Sequence, residues 1–279
     1  MNKVFEKARA ATVSGPQGQA RGPDRSEGRG VLVGYLPAGL PTVEGGIAAI
    51  RAMVEAGVDV VEVGLPYSDP VIDGPVIQRA SEIALAAGTR TVDVLRTVEA
   101  VASAGAPVLV MTYWNPVERY GIDAFARDLA AAGGAGLITP DLVPDEADEW
   151  LAASDTHDLD RIFLVAPSST DRRIALTAAA CRGFVYATSV MGVTGARDRT
   201  SGAAPALVAR VRQVTDAPVA VGLGVRDGAQ AAIVAGYADG VIVGSALVRC
   251  LLDASDVDSG LAALKALTAD LAAGVRRVA

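Results

Sequence analysis

The sequence predicts a single-domain α/β fold, a (β/α)8 barrel of the TIM type. Three observations predict it. The chain has 279 residues, near the ~250 typical of eight βα units and near the size at which one core stops growing. Eight short apolar runs recur, each followed by a stretch of helical character. Hydrophobic residues make up 51% of the chain but aromatics only 4%. The core is therefore one of Ala, Val, Leu and Ile, which suits strands buried on both faces.

The runs are VLVGYL (31–36), VDVVEV (58–63), PVLVMTY (107–113) and AGLITP (135–140), then RIFLVA (161–166), GFVYATS (183–189), PVAVGLG (218–224) and DGVIVGS (239–245). Alternating βα units point to a parallel sheet, and a count of eight points to a closed barrel over an open doubly wound sheet. The first helix is expected to start at Thr42, whose hydroxyl can cap it, with Val43, Ile47, Ile50 and Val54 on its apolar face. Gly57 is expected to end it in a left-handed turn, as are Gly105, Gly133 and Gly236 for later helices. Residues 1–30 are expected to hold an N-terminal helix and a mobile segment, because 12–30 (TVSGPQGQARGPDRSEGRG) have almost nothing to bury. The barrel is expected to fill 31–279.

Spacing marks two connections. Val58 to Pro107 is 49 positions and Gly183 to Pro218 is 35, while the other strand-to-strand steps are shorter. Extra chain therefore follows strands two and six. Loops after barrel strands build the catalytic face, and these two carry the densest Gly, Pro and Asp.

Bulk properties exclude several classes. The net charge is −7 with scattered basic residues, so nucleic acid and anionic membranes are not expected partners. Cys181 and Cys250 lack C-x-x-C spacing and read as buried, inert thiols. The single histidine, His157, lies in the polar run SDTHDLD and reads as a solvated loop residue. With one His, neither a Ser-His-Asp triad nor a His-based metal site is expected. No apolar run reaches the ~18 residues of a membrane span, and the start MNKVFEKARAA lacks a signal-peptide core. A cytoplasmic protein is expected.

The chemistry concentrates in VVEVGLPYSDPVIDGPVIQRA (60–80). Glu62 lies inside an apolar strand near its C-terminal end, and no Lys or Arg occurs within ten residues on either side. Burial without a partner raises a carboxylate's pKa and makes it a usable general acid/base. Asp69 and Asp73 follow in a loop stiffened by Pro66, Pro70 and Pro75. Turn-making is the ordinary role of a loop Asp, but one of these would complete a carboxylate pair with Glu62. The residues alone favour Asp73 only slightly over Asp69.

Two further constellations lie downstream. VGLGVRDG (221–228) and VIVGSAL (241–247) each end a strand in bare glycines before a helix. Exposed amides and a helix N-terminus favour an anion, and in βα barrels this consecutive pair commonly holds phosphate. VMGVTGARDRTSG (190–202) has three glycines and few apolar anchors; it reads as a lid rather than a plain connection. Tyr35, Tyr113 and Trp114 sit at strand ends, where aromatics can line a pocket for a flat ring or pack the mouth. For Trp114 the sequence does not choose.

Together these strings resemble the tryptophan synthase alpha subunit family from Val31 onward. VEVGLPYSDPVIDGPVIQRA looks like its most specific signature. GVTGAR, GLGV and VGSA match in order and spacing, and YLPAG with Tyr113 and Asn115 also fits. The resemblance implies retro-aldol cleavage of indole-3-glycerol phosphate to indole and glyceraldehyde 3-phosphate, with no metal and no cofactor in this chain. It implies Glu62 as the proton-transfer residue and Asp73 as the partner of the indole N–H. Tyr35, Tyr113, Tyr186 and Leu223 would line the pocket. Thr194 would bond Asp73 on closure, and Gly195, Gly224, Gly244 and Ser245 would hold the phosphate. A beta subunit carrying pyridoxal phosphate would take the indole in an alpha2beta2 assembly. A free-standing lyase and a non-catalytic regulatory barrel are the alternatives. Three positions depart from the family pattern: Leu40 in Gly39-Leu40-Pro41, Ile72 before Asp73, and Val190-Met191 before GVTG.

Overall fold

The computed structural model describes Phe5, residues 30–188 and residues 202–276. Its eight strands are β1 (Val31–Pro37), β2 (Val60–Gly64), β3 (Val108–Met111), β4 (Gly136–Thr139), β5 (Asp160–Val165), β6 (Val185–Thr188), β7 (Val219–Gly222) and β8 (Gly240–Val243). Each pairs in parallel with the next, and β8 returns to β1 through Val31–Gly240 to Gly34–Val243. That last pairing closes the barrel and rules out the open sheet.

Alternation along the strands divides the core in two. Val31, Val33, Val60, Leu109, Ile138, Ile162, Ala220 and Ile242 fill the interior. Leu32, Val61, Val63, Val110, Leu137 and Val241 face the helices. Both sets are essentially water-free, so each strand is apolar on both sides and the period-two signal is lost in the sequence.

The helices are α1 (Val43–Glu55), α2 (Pro75–Ala86), α3 (Thr91–Ala102), α4 (Trp114–Tyr120), α5 (Ile122–Ala131), α6 (Asp148–Thr156), α7 (Asp171–Ala180), α8 (Ala203–Arg212), α9 (Gly228–Ala235), α10 (Ser245–Leu252) and α11 (Val257–Val275). Thr42 caps α1 as expected, its hydroxyl accepting from the Gly45 amide at 3.1 Å. The buried stripe of α1 is rotated from the expected one. Gly46, Ala49, Ile50 and Met53 are buried, while Val43, Ile47 and Val54 are only half-covered. Small residues allow close approach to the barrel, and apolarity alone does not reveal that. Gly57, Gly105 and Gly133 have φ of 112°, 89° and 79° and end their helices as expected. Gly236 does not, because its φ of −67° is right-handed. The extra chain after β2 is more than a loop, since α2 and α3 both follow that strand.

Phe5 was not anticipated as a core residue. It is buried to 1% exposure among the interior side chains, 5.7 Å from the Phe184 ring. A Cβ at Gly240 would lie 3.2 Å from the Phe5 ring. Phe184 and Gly240 mark the N-terminal ends of β6 and β8, so Phe5 stops the barrel at the end opposite the mouth. Deleting a buried Phe side chain costs about 3–5 kcal/mol. Phe5→Ala is therefore expected to lower stability by about 3 kcal/mol or more, read from urea unfolding. A loss below about 1 kcal/mol would place the ring outside the core.

Candidate active site

The C-terminal ends of the strands form a mouth lined by tyrosines, and glycines make room for them. A Cβ at Gly64 would lie 2.2 Å from the Tyr35 hydroxyl oxygen. One at Gly222 would lie 2.6 Å from the Tyr186 hydroxyl oxygen. Neither separation is tolerable, so these two positions must be bare. The Tyr35 ring also packs against Gly244, where a Cβ would approach to 3.3 Å. Sequence reasoning missed Gly64 and Gly222. The available signal was a glycine at the end of a β-branched strand, which marks close approach of another group.

Glu62 sits beneath this mouth. Its Cα is in register with Tyr35 on β1 and Leu109 on β3. It is 1% exposed, and its Oε2 has no hydrogen-bond partner. Burial, and then the charge of Asp73, push its carboxyl up from 4.5 to about 8. At neutral pH it holds a proton.

The structure distinguishes the two loop aspartates. Asp69 is exposed and accepts from the Ser68 hydroxyl at 2.6 Å. Asp73 is half-buried and interacts electrostatically with Glu62. Burial raises its carboxyl to about 6, with a hydrogen bond from Tyr113 opposing the rise. The two carboxyls are thus set apart, one a proton donor and the other ionised at neutral pH, which is how one site separates acid from base. Among the described residues no Lys or Arg forms a salt bridge with either.

Gly224 has a left-handed φ of 69° and open space around it, and Leu223 beside it is half-buried. The N-terminus of α9 is already filled by carboxylates. Asp227 accepts from the Gln230 amide at 2.8 Å, and Asp270 accepts from the Gly228 amide at 2.6 Å. The N-terminus of α10, at Gly244 and Ser245, has no side-chain cap. The Gly228 and Gln230 amides at the start of α9 thus already have acceptors, while no side chain caps the start of α10. Lys265, the one lysine among the described residues, pairs with Glu55 at 2.9 Å on the outer helices.

Other expected positions resolve as follows. Thr194, Gly195, Val190, Met191 and the rest of the expected lid up to 201 lie outside the described residues. Trp114 packs edge-on against Trp150 of α6 at 6.4 Å. Leu40 is buried in the outer core at 2% exposure. Ile72 is partly exposed, and its amide donates to Tyr113. His157 is not a free loop residue: it ends α6 and its ring meets Asp123 at 2.9 Å. The Cys181 thiol is pushed by burial to about 12. Among the described residues no cluster of three metal-ligating side chains occurs, and no helix is long and apolar enough to cross a membrane.

A closed parallel βα barrel with two neighbouring carboxyls at the C-terminal mouth of its strands has the architecture of a barrel enzyme. Comparison with known proteins narrows the class to one family. The sequence pattern of the tryptophan synthase alpha chain matches residues 23–276. The alpha chain of Salinispora arenicola is 72% identical over 252 residues, covering 90% of this chain and 94% of that one. That of Acidothermus cellulolyticus is 67% identical, covering 91% and 94%. A structure of Mycobacterium tuberculosis tryptophan synthase superposes with a TM-score of 0.88 at 60% identity, covering 99% of this chain and 97% of that one. The alpha chain from Legionella pneumophila gives 0.81 at 33% identity, covering 98% and 96%. The chain belongs to the tryptophan synthase alpha chain family.

The state of Glu62 has a measurable consequence for stability. Between pH 4.5 and about 8 the folded chain holds a proton that the unfolded chain has released. Stability from this group is therefore fully present at low pH and is lost as pH rises through that window. Glu62→Gln removes the dependence. The variant is expected to melt a few degrees above the parent at pH 8.5, with the gain vanishing near pH 4.5. An equal difference at both pH values would show that Glu62 does not carry the proton.

Proposed function

We propose that the chain cleaves indole-3-glycerol phosphate to indole and glyceraldehyde 3-phosphate, with Glu62 as the proton-transfer residue. The observation that carries this reading is the Glu62 carboxyl, fully buried, protonated at neutral pH and unbonded at one oxygen. Carbon–carbon cleavage requires a proton on indole C3 and removal of one from the side-chain hydroxyl. A protonated Glu62 can give the first and then, as carboxylate, take the second. The C3 bond breaks as the hydroxyl carbon becomes the aldehyde, and its electron pair restores the aromatic ring. Glu62 ends as it began.

Protonation at C3 leaves positive charge on the ring nitrogen. Asp73, ionised at neutral pH, is the group that accepts the ring N–H and stabilises that charge. Tyr35, Tyr113, Tyr186 and Leu223 form the walls for the ring. The amides at Gly244 and Gly224 and the Ser245 hydroxyl take the phosphate. Thr194 and Gly195 close over it in this reading.

The indole passes to a beta subunit whose pyridoxal phosphate carries the next step, in an alpha2beta2 assembly within the cytoplasm. A surface feature supports a partner at this face. Val71 is 80% and Ile72 37% exposed on the loop that carries Asp73. Apolar side chains held out to water next to a catalytic group suit a protein contact. A partner there could hold Asp73 ready and raise turnover, which is a coupling free energy between sites.

The test is to incubate the pure chain with indole-3-glycerol phosphate and follow indole release, with and without a beta subunit. Slow release alone and faster release with the partner are expected. Full speed alone would favour a free-standing lyase, and no release in either case would leave a non-catalytic barrel. Glu62→Gln is expected to lower turnover ~10²–10⁴-fold. For the phosphate, Gly244→Val is expected to weaken substrate and glycerol phosphate alike by blocking the cradle. Arg226→Ala, on an exposed side chain, is expected to change little. The reverse pattern would refute recognition by amides.

A further inference from the structure

We propose that Tyr113 is a positioning residue for Asp73, gathering the loop that carries it through a single hydroxyl oxygen. This rests on the role of Asp73 proposed above and goes beyond the ring of Tyr113 as a pocket wall. The Tyr113 oxygen accepts from the Val71 amide at 3.0 Å and from the Ile72 amide at 3.0 Å. The same hydroxyl is hydrogen-bonded to the Asp73 side chain. The Asp73 amide also lies against this oxygen, and with backbone donors occupying its lone pairs its own proton is left for the carboxylate. Three consecutive residues therefore converge on one atom.

Nothing apolar holds this stretch in their place. Val71 and Ile72 are exposed, so hydrophobic burial contributes little to the position of Asp73. A second tie, from the Gln78 side-chain Nε2 to the Asp73 carbonyl at 2.8 Å, holds the main chain and not the carboxylate. Tyr113 itself is held firmly. It is 4% exposed at the end of β3, its ring lies 5.2 Å from that of Tyr67, and the next amide, of Trp114, donates to Asp141 at 2.9 Å. The Tyr67 hydroxyl is held in turn by Asn115 at 3.0 Å. A rigid strand end thus reaches over a loop with few contacts of its own and sets the direction of its one buried carboxylate. The titratable groups that interact with Asp73 are Glu62 on β2, Tyr35 on β1, Tyr186 on β6 and Tyr113 itself. Among the described residues, Tyr113 is the one whose side chain hydrogen-bonds it in a way that favours its ionised form.

The test removes one oxygen. Tyr113→Phe keeps the ring and its packing but deletes every bond made by the hydroxyl. Turnover is expected to fall about tenfold, with KM changed less, since a hydrogen bond to a charged group is lost. The acid limb of the kcat/KM profile, which reports Asp73 ionisation, is expected to move up by about one unit. Site-specific 3-fluorotyrosine at 113, a stronger donor in an intact fold, is expected to move the limb the other way. Combining Tyr113→Phe with Asp73→Asn should weaken binding of an uncleavable indole alkyl phosphate no further than Asp73→Asn alone. A limb that stays fixed in both variants, or losses that multiply in the double variant, would overturn the inference. If the parent releases no indole, the lyase reading fails by itself. The inference is then decided by whether the pH dependence of analogue binding shifts in the two Tyr113 variants.

Discussion

The site depends on one carboxyl group kept out of water with no cation paired to it among the described residues. Glu62 sits on the central part of a mouth whose described neighbours are tyrosines, glycines and a second acid. An isolated carboxylate there would cost several kcal/mol, so the group keeps its proton instead. Everything around Glu62 is consistent with that state. A lysine or arginine within a few ångströms would favour the carboxylate and lower its pKa by one to three units. Such a change would discharge the acid at neutral pH. The protonated state of Glu62 thus depends on which residues are kept away as well as on those present.

The barrel makes this arrangement rigid. Closure of β8 on β1 leaves no free edge, and both faces of each strand are packed. Phe5 fills the far end, so the interior cannot collapse toward it. At the near end Gly64 and Gly222 let two tyrosine hydroxyls lie where any side chain would exclude them. The strands therefore carry Glu62 and the pocket walls, and a loop carries Asp73. The two acids inherit different freedoms: one is set by the sheet, the other by the bonds its loop can make.

This difference also governs what the sequence could reveal. Eight apolar runs and their helices were legible because each strand is buried on both faces and reads as continuous Val, Ile and Leu. Glu62 was legible because a charge inside such a run has no ordinary explanation. The choice of Asp73 over Asp69 was not, since it turns on which carboxylate faces inward, and four residues of loop can place either. The buried face of α1 was misplaced because Gly46 and Ala49 pack closer than Val43 and Val54, and hydropathy ranks them below. The α9 terminus looked open from its glycines. It is closed by Asp270, 42 positions away in the chain, and no local pattern carries that contact. Phe5 was hidden in a stretch otherwise dominated by charge and small residues.

The same economy of charge explains the form of the proposed phosphate cradle. A substrate phosphate needs positive potential, and a lysine is the simplest source. In this mouth a lysine would act on Glu62 as well, through a low-dielectric interior where charges reach further than in water. Backbone amides at a helix N-terminus supply the potential locally, as dipoles whose effect fades within about a turn. They can attract a phosphate at Gly244 without drawing the proton from Glu62. At the start of α9 two amides, of Gly228 and Gln230, are already taken by Asp270 and Asp227. A bound phosphate, itself negative, would favour the protonated Glu62, while the ring N–H that Asp73 is proposed to accept would favour the ionised form of Asp73. In the proposed arrangement substrate binding would therefore prepare the acid through charge alone.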